Sequence, residues 1–398
     1  MRARYDRVSS APTRAHGPVR VAVLSAHEGS DSWRALLQSL QRTGQVRIRM
    51  VSGYSDAEYR HSKSRLQRLR LRLKTFVVYP LTIVARQGAL RRDCDTLLVI
   101  TSPFFLPALV TMLVRGPNIV VLQNDIYPEA LIVRKMIRRG GLIDRVLSHF
   151  VVAALECATT VVYITDMHRE HVARVMKARA VDVVIPVPSH LEADPSGPRF
   201  HAAGRLTALY SGTLGMMHDT RTILQFLADG LMPPNLRFVF RTSGAGKAMF
   251  ERAVSTRFPD LVASGSISIG DGLPEGDWSE MMRSAEIGMV FQAIGAGDVV
   301  FPSKAASILV AGQAVLAIAE EQSPLGRLVT EHDCGWVVPP GAVDRLQLAL
   351  QEATELAVLK RKRLNAHRLG MERFAVDVVA EQWLAVLTGS DRVRESDR

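Results

Sequence analysis

Gly297-Asp298-Val299-Val300-Phe301-Pro302-Ser303-Lys304 runs through Ala305-Ala306-Ser307-Ile308-Leu309-Val310-Ala311-Gly312 to Gln313-Ala314-Val315-Leu316-Ala317-Ile318-Ala319. It reads as a loop, a short helix, a glycine stop and a buried strand. Pro302 punctuates the loop, and Ser303 stands where it would cap a helix whose first turn holds Lys304. Ala305, Ala306 and Ala311 permit close approach to a neighbour, and Gly312 supplies the left-handed residue past the helix end. Backbone N–H groups, a serine hydroxyl and a lysine ammonium then converge at one helix N-terminus, which suits a phosphate. An ordinary helix with an exposed lysine is the competing reading of the stretch taken alone.

Composition limits what surrounds it. With 398 residues, 47% of them hydrophobic, and a mean hydropathy of +0.08, the chain can bury a large core and is expected to form two domains. Cys94, Cys157 and Cys334 show no CxxC or metal-ligand spacing, which predicts a reducing compartment and no metal site. The first twenty residues are Arg-rich without an apolar core, so no secretory signal is expected. The longest mostly apolar run, Phe150 to Thr165, contains Glu156 and falls short of the ~20 residues a spanning helix needs.

A net charge of +11 points to anionic partners. Between Arg60 and Arg92 there are ten Lys or Arg and no Asp or Glu. Leu66, Leu69, Leu73, Phe76 and Val77 share one helical face, with Arg65, Arg68, Arg72 and Lys74 largely off it. That pattern predicts a basic amphipathic helix against an anionic membrane surface, with residues 60–92 as the contact. A solvated basic face over a core contact is the alternative, and Arg70 to Lys74 also alternates as a strand would. Nucleic acid is disfavoured, since no aromatic platform is interleaved with the cations.

In chain order, apolar strands are predicted at Val19–Ser25, Val46–Val51, Thr96–Thr101, Asn118–Gln123, Thr160–Thr165 and Val183–Val187, with a helix from Asp31 to Arg42. Strands alternating with helical segments imply right-handed crossovers and a parallel sheet, whose ligands bind beyond the strand C-termini. There lie the His27-Glu28-Gly29-Ser30 turn, Thr101-Ser102-Pro103 and Asn124-Asp125. Pro186 to Gly204 reads as a linker. A second block follows: strands Leu206–Ser211, Arg237–Thr242, Ile267–Gly270 and Ile287–Phe291, and helices Arg221–Ala228, Lys247–Arg257 and Trp278–Ser284. The expected division is a disordered tail (1–18), a first domain (19–188), a linker (189–204), a second domain (205–372), a final helix (373–388) and a tail (389–398).

Further segments carry chemistry. Tyr210-Ser211-Gly212-Thr213-Leu214-Gly215-Met216-Met217-His218-Asp219 follows the first strand of the second block; its glycines let a ligand approach backbone, and Asp219 can cap the next helix. Thr242-Ser243-Gly244-Ala245-Gly246-Lys247 imitates a P-loop but lacks the first glycine, and Ala248 replaces the Mg²⁺-binding Ser or Thr. Gly270-Asp271-Gly272-Leu273-Pro274 ends a later strand. Plain turns account equally well for both glycine segments. In Gln123-Asn124-Asp125-Ile126-Tyr127-Pro128-Glu129, Asp125 sits at a strand C-terminus, either as a catalytic carboxylate or as a turn cap.

Together these motifs resemble glycosyltransferase family 4, retaining nucleotide-sugar-dependent enzymes, and within it the branch that builds bacterial surface polysaccharides. The Pro-Ser-Lys stretch, the glycine loop after the first strand of the second half and the Asp125–Glu129 segment carry the resemblance. It implies an α/β, GT-B fold: two Rossmann-like domains facing each other across a cleft, with the C-terminal helix crossing back onto the first. It implies donor contacts from Ser211, Gly212, Thr213, His218, Ser243, Gly244, Gly270, Asp271, Asp298, Ser303, Lys304 and Ser307, and an acceptor side at His27, Asn124 and Asp125. Lys304 and Asp125 become the catalytic candidates.

The chain departs from the family at Val299 and Ser307, where most members carry two glutamates, and at Thr213 and His218, near the usual Arg and Lys. Asp298 is adjacent to the first lost glutamate, and Asn124 stands where many relatives have His. The implied reaction moves a sugar from a nucleotide-sugar, a UDP-sugar on family grounds, to a cell-surface polysaccharide or a lipid-carrier-linked acceptor at the inner membrane face, and the basic helix favours a polyprenyl-diphosphate-linked sugar. The protein itself is expected to be cytoplasmic and peripheral. No cofactor is implied, and a divalent ion stays compatible with the site. A non-catalytic GT-B subunit, or less favourably a nucleotide-sugar epimerase, are the alternatives.

Overall fold

The computed structural model describes residues 17–55, 58, 64–175, 182–200, 204–215 and 217–389. The disorder expected of the outermost residues, and Arg60, Lys63 and Met216, lie outside the described residues. Two six-stranded parallel sheets organise the rest. The first contains β1 (Val19–Leu24), β2 (Val46–Val51), β3 (Thr96–Ile100), β4 (Asn118–Gln123), β5 (Thr160–Tyr163) and β6 (Val183–Val184), in the order β2-β1-β3-β4-β5-β6. The second contains β7 (Leu206–Thr213), β8 (Leu236–Ser243), β9 (Ile267–Gly270), β10 (Ile287–Phe291), β11 (Ala314–Ile318) and β12 (Gly335–Val338), in the order β12-β11-β10-β7-β8-β9. The expectation of two Rossmann-like domains is met.

The sequences explain the sheets. TLLVI, IGMVF and AVLAI are apolar at nearly every position and buried along their whole length, as strands covered by helices on both faces must be. In each sheet the order reverses once, between β1 and β3 and between β7 and β10. Such a reversal opens a crevice at the strand C-termini.

The helix Lys304–Val310 is held by close packing on both sides. Gly288 of β10 has no Cβ, so Ile308 and Gln313 press directly on the strand. Gly370, in the helix Leu356–Arg373, likewise admits the Leu309–Val310 backbone. Ala305 and Ala306 are fully buried, and Gly312 takes φ +66° past the helix end as expected. Ser303 corrects the sequence reading: its backbone is already helical and its hydroxyl makes no capping bond. A side-chain cap needs an extended residue before the first turn.

The final helix, Val376–Thr388, packs against Asp31–Arg42 of the first domain. Trp383 meets Trp33 with ring centroids 5.8 Å apart, and Ser39 Oγ donates to Asp377 Oδ1 at 2.6 Å. The apolar run from Phe150 is divided between the helix Leu142–Cys157 and β5. Among the described residues no helix is long and apolar enough to cross a membrane.

The basic segment is helical throughout its described part: Arg65–Leu73, a wide π-turn at Lys74–Val78, then Tyr79–Asp93. Ser64 and Gln67 form a reciprocal capping box that starts it. Leu66, Leu69 and Leu73 are 77%, 62% and 55% exposed, whereas Leu71, off their face, is the buried one. The apolar stripe therefore points outward with Arg68, Arg70 and Arg72 exposed beside it, while Leu71, Tyr79 and Ile83 make the core contact from another face; the strand alternative does not hold.

Candidate functional site: a lysine at the switch point of the second sheet

β7 and β10 flank the crevice of the second sheet, and the segments that follow them meet there. Lys304 Nζ donates to the Tyr210 hydroxyl at 2.6 Å and lies 4.0 Å from the centroid of that ring. The Tyr210 hydroxyl in turn donates to the Thr213 carbonyl at 2.8 Å. The Tyr210 ring is stacked on Phe291 of β10, centroids 4.7 Å apart, so the phenol cannot swing away. Burial holds that phenol protonated.

Gly212 takes φ +139°, and a Cβ there would stand 3.3 Å from Lys304 Cε and 3.4 Å from Nζ. Any larger residue would close the space over the ammonium. Among the described residues no carboxylate neutralises the lysine, and burial lowers its pKa to about 7 although the residue keeps some exposure. Such a cation has lost hydration and gained only a phenol, so an entering phosphate would find it under-solvated.

His218 completes the wall. Its Nδ1 accepts from the Gly215 N–H at 3.0 Å. Burial first, then the nearby Lys304 charge, bring its pKa down to about 4. It is a neutral imidazole near neutral pH and adds a polar group, not a second positive charge. Asp219 accepts from the Arg221 and Thr222 N–H groups and so caps the following helix as expected.

The remaining donor candidates divide. Ser243 and Gly244 adjoin the cluster: Thr213 Oγ1 lies 3.4 Å from Ser243 Oγ, and a Cβ on Gly244 would stand 2.6 Å from the Leu214 carbonyl. Gly270 and Asp271 sit farther along, where Asp271 pairs with Lys247 at 2.5 Å and Arg241 covers Gly270. Ser211 bonds to Trp278 Nε1 at 3.0 Å. Ser307 is buried with its hydroxyl 3.1 Å from Ser189 Oγ in the linker, so its one described partner is a serine and not the open cleft.

The loop before Lys304 ties the two domains together. Val299 is 1% exposed and packs in the first domain's core with Val99, Tyr163 and Ile126. Ile126 N–H donates to the Val299 carbonyl at 3.1 Å, and Asp125 and Val300 form an antiparallel bridge. The position that holds a glutamate in the resembling family is here an apolar anchor. Asp298 is exposed and within electrostatic reach of His171. His168 is fully buried, faces Gly297 and is driven to a pKa of about 4, chiefly by burial.

Asp125 thus sits at the domain junction, its carboxyl raised in pKa by burial and partly offset by Arg134. Asn124 is exposed, and His27 pairs with Tyr54 at the end of β1. The sequence reading missed Tyr210 as a partner of Lys304, although it opens the quoted glycine loop. It also missed Trp278, which stacks on His190 of the linker at 4.3 Å, and His168. A tyrosine in a core strand carries no sequence sign that its hydroxyl meets a lysine ninety-four positions away. Among the described residues no group of three or more His, Cys, Asp or Glu is placed to hold a metal ion.

Solved structures with this architecture include Anabaena Alr3699/HepE in complex with UDP-glucose, at TM-score 0.67 and 13% identity over 94% of this chain and all of that one. They also include sucrose-phosphate synthase from Thermosynechococcus elongatus, at TM-score 0.69 and 14% identity over 93% of this chain and 98% of that one. WaaG, a glycosyltransferase involved in lipopolysaccharide biosynthesis, aligns at TM-score 0.62 and 13% identity over 94% and 100%. The fold is therefore GT-B. In sequence, the chain is 29% identical over 146 residues to WcaI of Escherichia coli (strain K12), named as a colanic acid biosynthesis glycosyl transferase. That similarity spans 36% of this chain and 34% of the length of that protein. No family model matches the chain.

Proposed function

We propose that the chain is a retaining glycosyltransferase that moves a sugar from a nucleotide-sugar to a lipid-carrier-linked acceptor of a cell-surface polysaccharide. The observation that carries this reading is the unneutralised Lys304 ammonium beneath Gly212, walled by neutral His218, at the switch point of the second sheet. The diphosphate of the donor lodges against Lys304 and the glycine-loop backbone, which stabilise the leaving phosphate as the sugar C1–O bond breaks. The acceptor hydroxyl attacks C1 from the same face and its proton passes to the departing phosphate oxygen. Asp125 orders that side of the cleft.

A uridine nucleotide is the proposed donor, in keeping with the UDP and UDP-glucose complexes of HepE. The polysaccharide acceptor accords with the partial likeness to WcaI. The outward Leu66–Leu69–Leu73 stripe among exposed arginines supports attachment to an anionic membrane at its cytoplasmic face.

The test is transfer of label from radiolabelled UDP-sugars into membrane lipid. Extractable lipid-linked label is expected; soluble epimerised UDP-sugar would indicate an epimerase. Binding without turnover would indicate a non-catalytic GT-B subunit, a second reading favoured by the burial of Val299 and the engagement of Ser307.

A further inference from the structure

An apolar cavity of about 250 Å³ opens in the first domain between the helices Leu106–Leu113 and Leu142–Cys157. Its walls are Phe104, Phe105, Leu109, Leu147, Val151 and Leu155. An enclosed apolar space of ~150 Å³ already accepts a benzene-sized guest. The inner end reaches Gln123 and Tyr127, which bracket Asn124-Asp125 at the end of β4. Thr101 Oγ1 is also at that end, buried and with no hydrogen-bond partner among the described residues.

The outer end meets solvent at Met112, 67% exposed, and Phe150. The apolar surface continues past it. Leu142, Ile143 and Val146 are exposed on the same helix as Phe150, and Phe76, just past the Leu66–Leu73 stripe, lies 6.1 Å from Phe105. One apolar track thus runs from the proposed membrane face, through the slot, to the acceptor side of the cleft.

We infer that this slot holds the hydrocarbon tail of a phosphate-linked isoprenoid acceptor, with the phosphate beside Arg134 and the sugar end toward Asp125. Three observations select that occupant. A peptide would bring backbone N–H and C=O groups against walls that are apolar along most of their length, with Thr101, Gln123 and Tyr127 confined to the inner end. Arg134, Lys135, Arg138 and Arg139 follow one another without an intervening acid. Arg134 acts on both Tyr127 and Asp125, so this positive charge lies at the inner mouth, where an anionic head would sit. The inference rests on the transferase reading and names the acceptor class of its site.

The test titrates farnesyl phosphate into the full chain, with UDP binding measured separately on each protein. Ala154→Phe, on the slot wall, is expected to weaken farnesyl phosphate at least tenfold and leave UDP affinity unchanged. Ala108→Phe fills the slot from the opposite helix and decides the matter if the first variant does not fold. Farnesyl phosphate binding absent from the wild type, equal in the folded variants, or matched by inorganic phosphate alone would overturn the slot. Slot-dependent farnesyl phosphate binding without any UDP binding would uphold the slot and overturn the transferase reading.

Discussion

Lys304 Nζ and the Tyr210 hydroxyl stand 2.6 Å apart, with no carboxylate among the described residues shifting the charge of either. A lysine partnered by a phenol and largely desolvated stays charged only to a pH of about 7. In the unfolded chain it would hold its proton to about 10.5. Between those values the unfolded state binds more protons, so this group makes stability rise with pH across that window. A bound diphosphate reverses the situation by raising the lysine pKa.

Donor binding should therefore take up a proton above pH 7. Calorimetric titration of UDP at pH 8 in buffers of different ionisation enthalpy should show an uptake approaching one proton. Affinity should weaken by up to about tenfold per pH unit above 7. A pH-independent affinity between 7 and 9 would remove Lys304 from the phosphate contact.

Tyr210→Phe keeps the ring stack on Phe291 and removes only the hydroxyl. The Thr213 carbonyl loses its donor and the ammonium its acceptor. A loss of about 1.5–3 kcal/mol below pH 7, where the lysine is charged, is expected from urea unfolding. UDP affinity should fall as well, because the lysine loses its fixed direction.

Val299→Glu restores the residue type common in the resembling family but places a carboxylate in the first domain's core. An unpaired buried charge should cost about 3–5 kcal/mol, or the domains should part at the Asp125–Val300 bridge. Thermal unfolding and small-angle scattering would register the first and the second respectively. Wild-type stability and an unchanged radius would show that the loop is not anchored as described.

His168 and His218 are both held neutral to a pH of about 4, against an ordinary 6.5. Between those values the unfolded chain binds more protons, so stability falls as pH is lowered through that window. Urea midpoints at pH 7.5, 6 and 4.5 should decline, and H168Q should flatten part of the decline.

Much of the fold was readable because parallel strands are long apolar runs and these runs are punctuated by glycine and proline. The helices Asp31–Arg42, Arg221–Ala228 and Lys247–Arg257 fall where the pattern placed them, and Trp278–Ser284 begins a turn earlier, at Glu275. β12 and the helices from Pro324 to Arg373 were not read, since the sequence argument passed from the Lys304 stretch directly to the final helix. Within the site, Gly212, Thr213, His218 and Lys304 were legible as a set. The Tyr210 contact, the sinking of Val299 into the other domain and the Ser189–Ser307 pair were not, because each joins distant segments. Local periodicity says which face is buried but not which domain buries it.

The account stands most directly on the affinity of UDP for the wild type and for Lys304→Ala, measured by calorimetry at pH 6.5. Binding to the wild type and at least a tenfold loss in the variant, with thermal stability retained, is the predicted result. Equal affinity in two folded proteins would contradict the assignment of Lys304 as the diphosphate seat.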